Sequence, residues 1–333
     1  MKKFRTAMSV LLVAMSLTSC YTGNSGSEVS IDFDIFDTKD IVLGEEVESV
    51  NFTSSTGVQF TFTNEDDFDD IFIEVGYRLE TGKKYSCNAE IKTADMTKSY
   101  VNTNIYYFED GMLVESRAKK EGSDDVALIE EYQEMRKLGD NQSEHISFNR
   151  YIYKDEIAFC GANRGPNVNI QYKSNKFPMN PEYGTELHEM QSRADQCRNF
   201  VISVPFFADF PQIGQIDFRQ FVTREYTLYE NYIVFKQTAP IFYVSEAPGK
   251  DMEILYNRCV ESNYSATQEA YCNVKTGKIE FIKAYGNTMN PIPGWYGFEL
   301  EINMQMYIHD FNVSEYQEKL DAVVRYVKAN ADV

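Results

Sequence analysis

The 333-residue sequence is short of catalytic side chains: it has one tryptophan and only three histidines. It also lacks the Gly-x-Ser-x-Gly elbow, a phosphate-cradling glycine loop and the His-Glu-x-x-His zinc pair. No motif therefore assigns acyl transfer, nucleotide binding or zinc hydrolysis. His145, His188 and His309 each adjoin a carboxylate in sequence. Adjacent residues on a helix or strand do not face each other, so the three read as unrelated surface side chains. Basic charge is scarce too. Lys and Arg number 32 against 51 Asp and Glu, a net charge of −19. So acidic a chain repels nucleic acid, and it has no basic run to hold anionic lipid head groups. The acid-rich stretch 64–70 lacks the glycine and terminal glutamate of an EF-hand loop and is expected to be a solvated turn. No cofactor or metal is called for. The longest early apolar run, 8–17, falls short of the roughly 20 residues that span a bilayer.

That run is nonetheless informative. Lys2, Lys3 and Arg5 precede it, and Leu17, Thr18, Ser19 and Cys20 close it. Positive start, apolar middle and small residues at the end make a secretory signal. Its last four residues resemble the lipobox of bacterial lipoproteins. The resemblance covers residues 1–20 alone and says nothing of the fold beyond them. It implies that Leu17, Thr18 and Ser19 are the recognition positions, that cleavage falls before Cys20, and that Cys20 carries the lipid. Several acyl chains on one residue hold a protein stably, since each buried methylene contributes about 0.8 kcal/mol. Removing the 19 residues before Cys20 would leave 314 of the 333 and, with Lys2, Lys3 and Arg5 gone, a net charge of −22. Residues 21–30, rich in Gly and Ser, then read as a flexible tether reaching at most about 35 Å. The expected place is the extracytoplasmic face of a bacterial cell envelope, with the membrane as one partner.

Beyond the tether the chain reads as strands. Tyr and Phe number 23 each, and both favour pleated, half-buried surfaces. Alternating segments at 31–35, 58–63, 71–75, 85–91 and 105–108 begin the series, with a hairpin expected at Asp110-Gly111. Further strands are expected at 146–153, 157–160, 168–172, 221–229, 232–236, 241–244, 252–260, 270–274, 278–284 and 296–308, with turns at 276–277 and 285–287. Three helices are expected. The first, 124–138, would be capped by Ser123. The second, 185–199, has Leu187, Met190, Ala194, Cys197 and Val201 at steps of three and four. The third, 314–329, opens on a capping box of Ser314 and Gln317. The fold class is α+β, mainly antiparallel sheet with about three amphipathic helices packed on it. Tyr153 to Phe159 echoes Tyr229 to Phe235, and Met179-Asn180-Pro181 recurs as Met289-Asn290-Pro291. Either two related lobes, 31–184 and 185–333, or chance convergence of hairpins accounts for these echoes.

Six cysteines less Cys20 leave five, an odd number. Cys259 and Cys272 flank a polar segment that could turn a hairpin and are the candidates for a disulfide; the alternative is five reduced thiols. None of the cysteines adjoins a histidine, so buried structural thiols are expected. The most distinctive loop, 287–297, holds Trp295 and Tyr296 on a Pro- and Gly-stiffened scaffold. Exposed aromatics on such a loop suit stacking on a sugar or peptide, so Trp295 and Tyr296 are the candidate ligand contacts. The functional expectation is a non-catalytic binding or interaction lipoprotein for a protein, peptide or glycan. The alternatives are an extracytoplasmic hydrolase with dispersed carboxylates and a structural envelope component.

Overall fold

The computed structural model describes residues 37–75, 79–92, 97–139, 141–154, 156–174, 181–203, 222–240, 265–289 and 299–312, with helical positions Ser314, Gln317, Asp321, Arg325 and Ala329. A hairpin of β1 (Ser49–Thr53) and β2 (Gln59–Thr63) leads into α1 (Phe68–Val75). Next come β3 (Lys83–Lys92), β4 (Lys98–Phe108), β5 (Gly111–Lys120), β6 (Ala127–Gly139), β7 (Gln142–Tyr153), β8 (Glu156–Gly165) and β9 (Val168–Lys173). The long α2 (Pro181–Ser203) is followed by β10 (Thr223–Leu228), β11 (Tyr232–Pro240), β12 (Ser265–Asn273), β13 (Lys278–Met289) and β14 (Glu299–Asp310).

β3 to β14 form one 12-stranded antiparallel sheet in the order β10-β11-β12-β13-β14-β3-β4-β5-β6-β7-β8-β9. Strands consecutive in sequence lie side by side, as hairpin connections dictate, except β9 and β10, which form the two edges and are separated in sequence by α2. The one neighbouring pair not consecutive in sequence is β14 with β3, with Asp310 opposite Lys83. Through that pair the sheet runs unbroken from the segment 31–184 into 185–333.

Period-two alternation gives the sheet two apolar faces. One carries Tyr85, Cys87, Ala89 and Ile91 of β3 beside Val101 and Ile105 of β4, all buried. α2 lies across β3 to β6 on this face. Its stripe of Leu187, Met190, Ala194, Cys197 and Val201 is buried throughout, as the spacing requires. Proline suits the first position of this helix, where an N–H would have no intrahelical partner. The same core takes in Phe52 and Phe62 of the small hairpin and reaches Phe235 of β11 and Ala158 of β8. Phe68 and Phe72 of α1 both pack edge-on against Phe235, with centroids 5.4 and 5.3 Å away. The opposite face carries two aromatic clusters, Tyr106, Phe108, Tyr132, Phe148 and Phe159 among one and Tyr232, Tyr271 and Phe281 in the other.

Two expected elements exchange type. The segment 124–138, expected as a helix, is strand β6 from Ala127. Its Ala, Leu, Glu, Met, Lys and Arg favour helix by propensity. Hydrogen bonding to β5 on one side and β7 on the other overrides that weak preference. Alternation then sends Ala127 and Ile129 to the α2 face and Tyr132 to the other. The Ser123 hydroxyl accepts the Asp125 N–H in a turn rather than capping a helix. Conversely, 71–75, expected as a strand, completes α1. The pairs Phe68/Phe72 and Ile71/Val75 stand four apart, and all four residues join the core. The expected turn at 285–287 lies inside β13, where Tyr285, Gly286 and Asn287 face Asn303, Ile302 and Glu301.

The hairpin at Asp110-Gly111 forms, with Phe108 opposite Gly111. Gly111 is needed for close approach, since a Cβ there would sit 2.0 Å from the Gln133 carbonyl oxygen. The echoed stretches at 153–159 and 229–235 are both tight hairpins, closed by Tyr153 opposite Glu156 and by Tyr229 N–H donating to Tyr232 O at 2.8 Å. Of the other echo, Met179, Asn180, Asn290 and Pro291 lie outside the described residues, while Pro181 opens α2 and Met289 ends β13. The apolar side of 314–329 and the expected strands at 31–35, 241–244 and 252–260 lie outside the described residues. Among the described residues no helix is long and apolar enough to cross a membrane.

Residues 37–47 form a strap across one end of the sheet. Lys84 of β3 pairs with Asp37, and His309 Nε2 donates to the Asp37 carbonyl at 3.1 Å. Ile41 and Leu43 pack on the cluster of Tyr232, Tyr271 and Phe281. Asn231 N–H donates to Leu43 O at 3.0 Å, and Val47 N–H to Leu228 O at 3.0 Å.

Candidate functional site

At the strap end of the sheet lies a cavity of 1020 Å³. β3 and β13 begin here and β14 ends here, so three strand termini meet. They supply Lys83 and Tyr85, Lys278 and Glu280, and His309 and Asp310. The strap adds Thr38 and Lys39, the β1–β2 turn adds Ser55 and Thr56, and the segment after α1 adds Glu80 and Thr81.

Charge in this wall comes in pairs. Lys83 meets Asp310 at 2.5 Å, Lys278 meets Glu80 at 2.8 Å and Lys39 meets Glu280 at 2.8 Å. Each of these lysines faces a carboxylate, and the formal charges cancel. The Lys83 ammonium holds the Asp310 carboxyl below its ordinary value, and Lys84 does the same for Asp37. The Tyr85 hydroxyl accepts the Glu80 N–H at 2.7 Å, and burial pushes its phenol up to about 12. Burial lowers the His309 pKa against the opposing pull of its bond to the Asp37 carbonyl, so the ring is neutral at pH 7. Such a wall offers donors and acceptors of both kinds without net charge. Among the described residues no lining nucleophile is hydrogen-bonded to a base.

Of the residues singled out in the sequence, Cys20, Cys259, Trp295 and Tyr296 lie outside the described residues. Cys272 is a free, buried thiol on β12, and burial raises its pKa. The three histidines sit apart, on β7, α2 and β14. The acidic stretch 64–70 is used locally. Asp66 accepts the Thr63 N–H at 2.6 Å, Asp67 accepts the Asp69 N–H at 2.8 Å, and Asp69 pairs with Arg224 at 2.5 Å.

The cleft itself escaped the sequence reading, because Lys83 and Asp310 stand 227 positions apart and Lys278 and Glu80 198 apart. A buried polar band on the sheet face opposite α2 escaped it too. Ser86 donates to Asn104 at 2.8 Å, Asn104 donates to Asn102 at 3.0 Å, and Arg150 grips Glu130 through two nitrogens. Its one sequence signal is Asn102 and Asn104 inside a strand, where asparagine is depleted.

No family model and no curated protein matches the chain. Among solved structures it is similar to a de novo designed transmembrane β-barrel, with 12% identity over 29% of this chain and 87% of that one, at a TM-score of 0.18. It is also similar to a β-barrel-like protein of a domain of unknown function from Brucella abortus, with 8% identity over 70% of this chain and 100% of that one, at a TM-score of 0.23. Neither score equates the folds.

Proposed function

We propose that the chain is a lipid-anchored binding protein of the extracytoplasmic face of a bacterial membrane, held through Cys20, and that the strap-end cleft takes an uncharged polar ligand, a glycan or a peptide segment. Leu17 to Cys20 support the anchor, and the cleft supports the binding role. Its volume of 1020 Å³ stands just above the usual range of about 300–1,000 Å³ for small-ligand pockets. An ammonium has three N–H donors, so a lysine paired with one carboxylate still has donors for a hydroxyl or carbonyl. A ligand of net charge gains less, because it must compete with a partner already in place.

The test uses the full chain purified from membranes in detergent. Calorimetric titration with neutral oligosaccharides and with short uncharged peptides should give saturable binding that Lys83→Met weakens. No binding from either panel would overturn the cleft's assignment. The anchor is read separately: Cys20→Ala should abolish labelling by a fatty-acid analogue, and undiminished labelling would overturn it.

A further inference from the structure

Cys87 on β3 and Cys197 on α2 are both fully buried in the core between helix and sheet. Where α2 crosses β3 and β4, the Cys197 thiol lies within hydrogen-bonding reach of both the Cys87 thiol and the Thr103 hydroxyl. Thr103 is the cross-strand partner of Cys87, so Cys197 sits over that pair. The register sets the other described cysteines apart. Cys160 faces Asn149 and Lys173, and Cys272 faces Ile233 and Ile279. A single buried thiol is ordinarily an inert small hydrophobe. Cys87 and Cys197 are both free thiols in this structure, and two thiols that share one core can supply the two sulfurs of a disulfide, which must close to about 2.05 Å.

We propose that Cys87 and Cys197 close a disulfide in the exported chain and so fasten α2 to β3. The inference takes its oxidising surroundings from the extracytoplasmic reading above. The oxidant is a disulfide, either of an extracytoplasmic thiol oxidoreductase or of a low-molecular-weight thiol. One cysteine thiolate attacks a sulfur of that disulfide, forming a mixed disulfide and releasing the oxidant's first thiol. The second cysteine thiolate then attacks the mixed disulfide, forming the Cys87–Cys197 bond and releasing the second thiol. Two S–H bonds break and one S–S bond forms. The two electrons reduce the oxidant and the two protons pass to it or to solvent. In the folded chain, contact with Cys87 and burial keep Cys197 protonated. Exchange therefore precedes the docking of α2. The closed loop contains β4 to β9, so the cross-link joins that half of the sheet and its covering helix into one unit.

The experiment uses the full chain taken from membranes, denatured and alkylated before and after reduction, then digested for mass spectrometry. The expected result is one linked pair of peptides carrying Cys87 and Cys197, lighter by two hydrogens than the free peptides together. Reduction should lower Tm by roughly 5–10 °C, and Cys87→Ser should melt like the reduced parent. Alkylation of both thiols without reduction, or linkage of Cys197 to another cysteine, overturns the proposal. The lipid on Cys20 is read in the same digest. A linked pair with an unlipidated Cys20 supports the disulfide and refutes the anchor. Free thiols with a lipidated Cys20 refute the disulfide and leave the anchor standing.

Discussion

Two glycines offer a controlled measurement of how the cleft wall is built. Gly57 and Gly277 both have left-handed backbone, with φ of +86° and +64°. Around Gly57 an added Cβ meets nothing within 4 Å, whereas at Gly277 it would lie 2.5 Å from Ser55 N and 2.6 Å from Thr53 O. Gly277 closes the β12–β13 turn, and the small hairpin is bound to the same turn by Thr53 N–H donating to Val274 O at 2.8 Å. Gly57→Ala should therefore cost only the left-handed conformation, about 1–2 kcal/mol. Gly277→Ala carries that cost and must also push backbone aside, an overpacking of about 1–3 kcal/mol. The sum is roughly 2–5 kcal/mol. Urea unfolding at unchanged m-value measures both, since a shift of midpoint alone is then a shift of stability. Because the displaced turn carries Ser55 and Thr56 into the cleft, Gly277→Ala should also weaken glycan or peptide binding more than Gly57→Ala does. If the two variants lose the same stability within about 0.5 kcal/mol, the close approach of hairpin and sheet is wrong.

Arg150→Met leaves the Glu130 carboxylate buried beside apolar atoms and should cost about 3–5 kcal/mol by chemical denaturation; a loss below about 1 kcal/mol would mean the pair is hydrated. His309 binds its proton more weakly in the folded chain than unfolded. The unfolded state therefore takes up the proton first, and stability should fall as pH drops from about 6.5 through the lowered folded value. His309→Gln should flatten melting temperature across pH 7.5, 6.5 and about 5.5, and an unchanged slope would assign it to other groups. Trp295 and Tyr296 are proposed as ligand contacts: Trp295→Ala should melt like the parent, with the native ring open to acrylamide quenching. A shielded ring and a loss of about 3–5 kcal/mol would make Trp295 a core residue instead.

What was legible in the sequence followed from local periodicity. The 3-4-3-4 spacing of Leu187 to Val201 has one structural meaning, and α2 realises it. The alternation at 85–91, 146–153 and 278–284 likewise gave strands. β6 was misread because its helix-favouring composition is local while the two neighbours that make it a strand are not. The cleft was illegible for the same reason. Its ion pairs join residues about two hundred positions apart, and each lysine alone looks like any solvent-facing strand residue. The lipobox proposed at Leu17 to Cys20 stands at the other extreme, since a processing signal would be read as a linear string.

The pairing of β3 with β14 has a consequence for how the chain comes together. β3 is the first of the twelve sheet strands to be made and β14 the last, yet they are neighbours. β4 covers one margin of β3 at once. The other margin stays bare for the 227 positions from Lys83 to Asp310, on the order of ten seconds or more of synthesis. A bare strand margin is a template for wrong partners, and lysine is a common deterrent to such pairing. β3 carries Lys83 and Lys84 at one end and Lys92 at the other. When β14 arrives, Asp310 meets Lys83 at 2.5 Å and Glu301 meets Lys92 at 3.4 Å, one acid for each end. A slip of one residue would misalign both contacts and turn every side chain of β14 to the wrong face. The charges that repel strangers from the waiting strand thus also admit its rightful neighbour, in a single register.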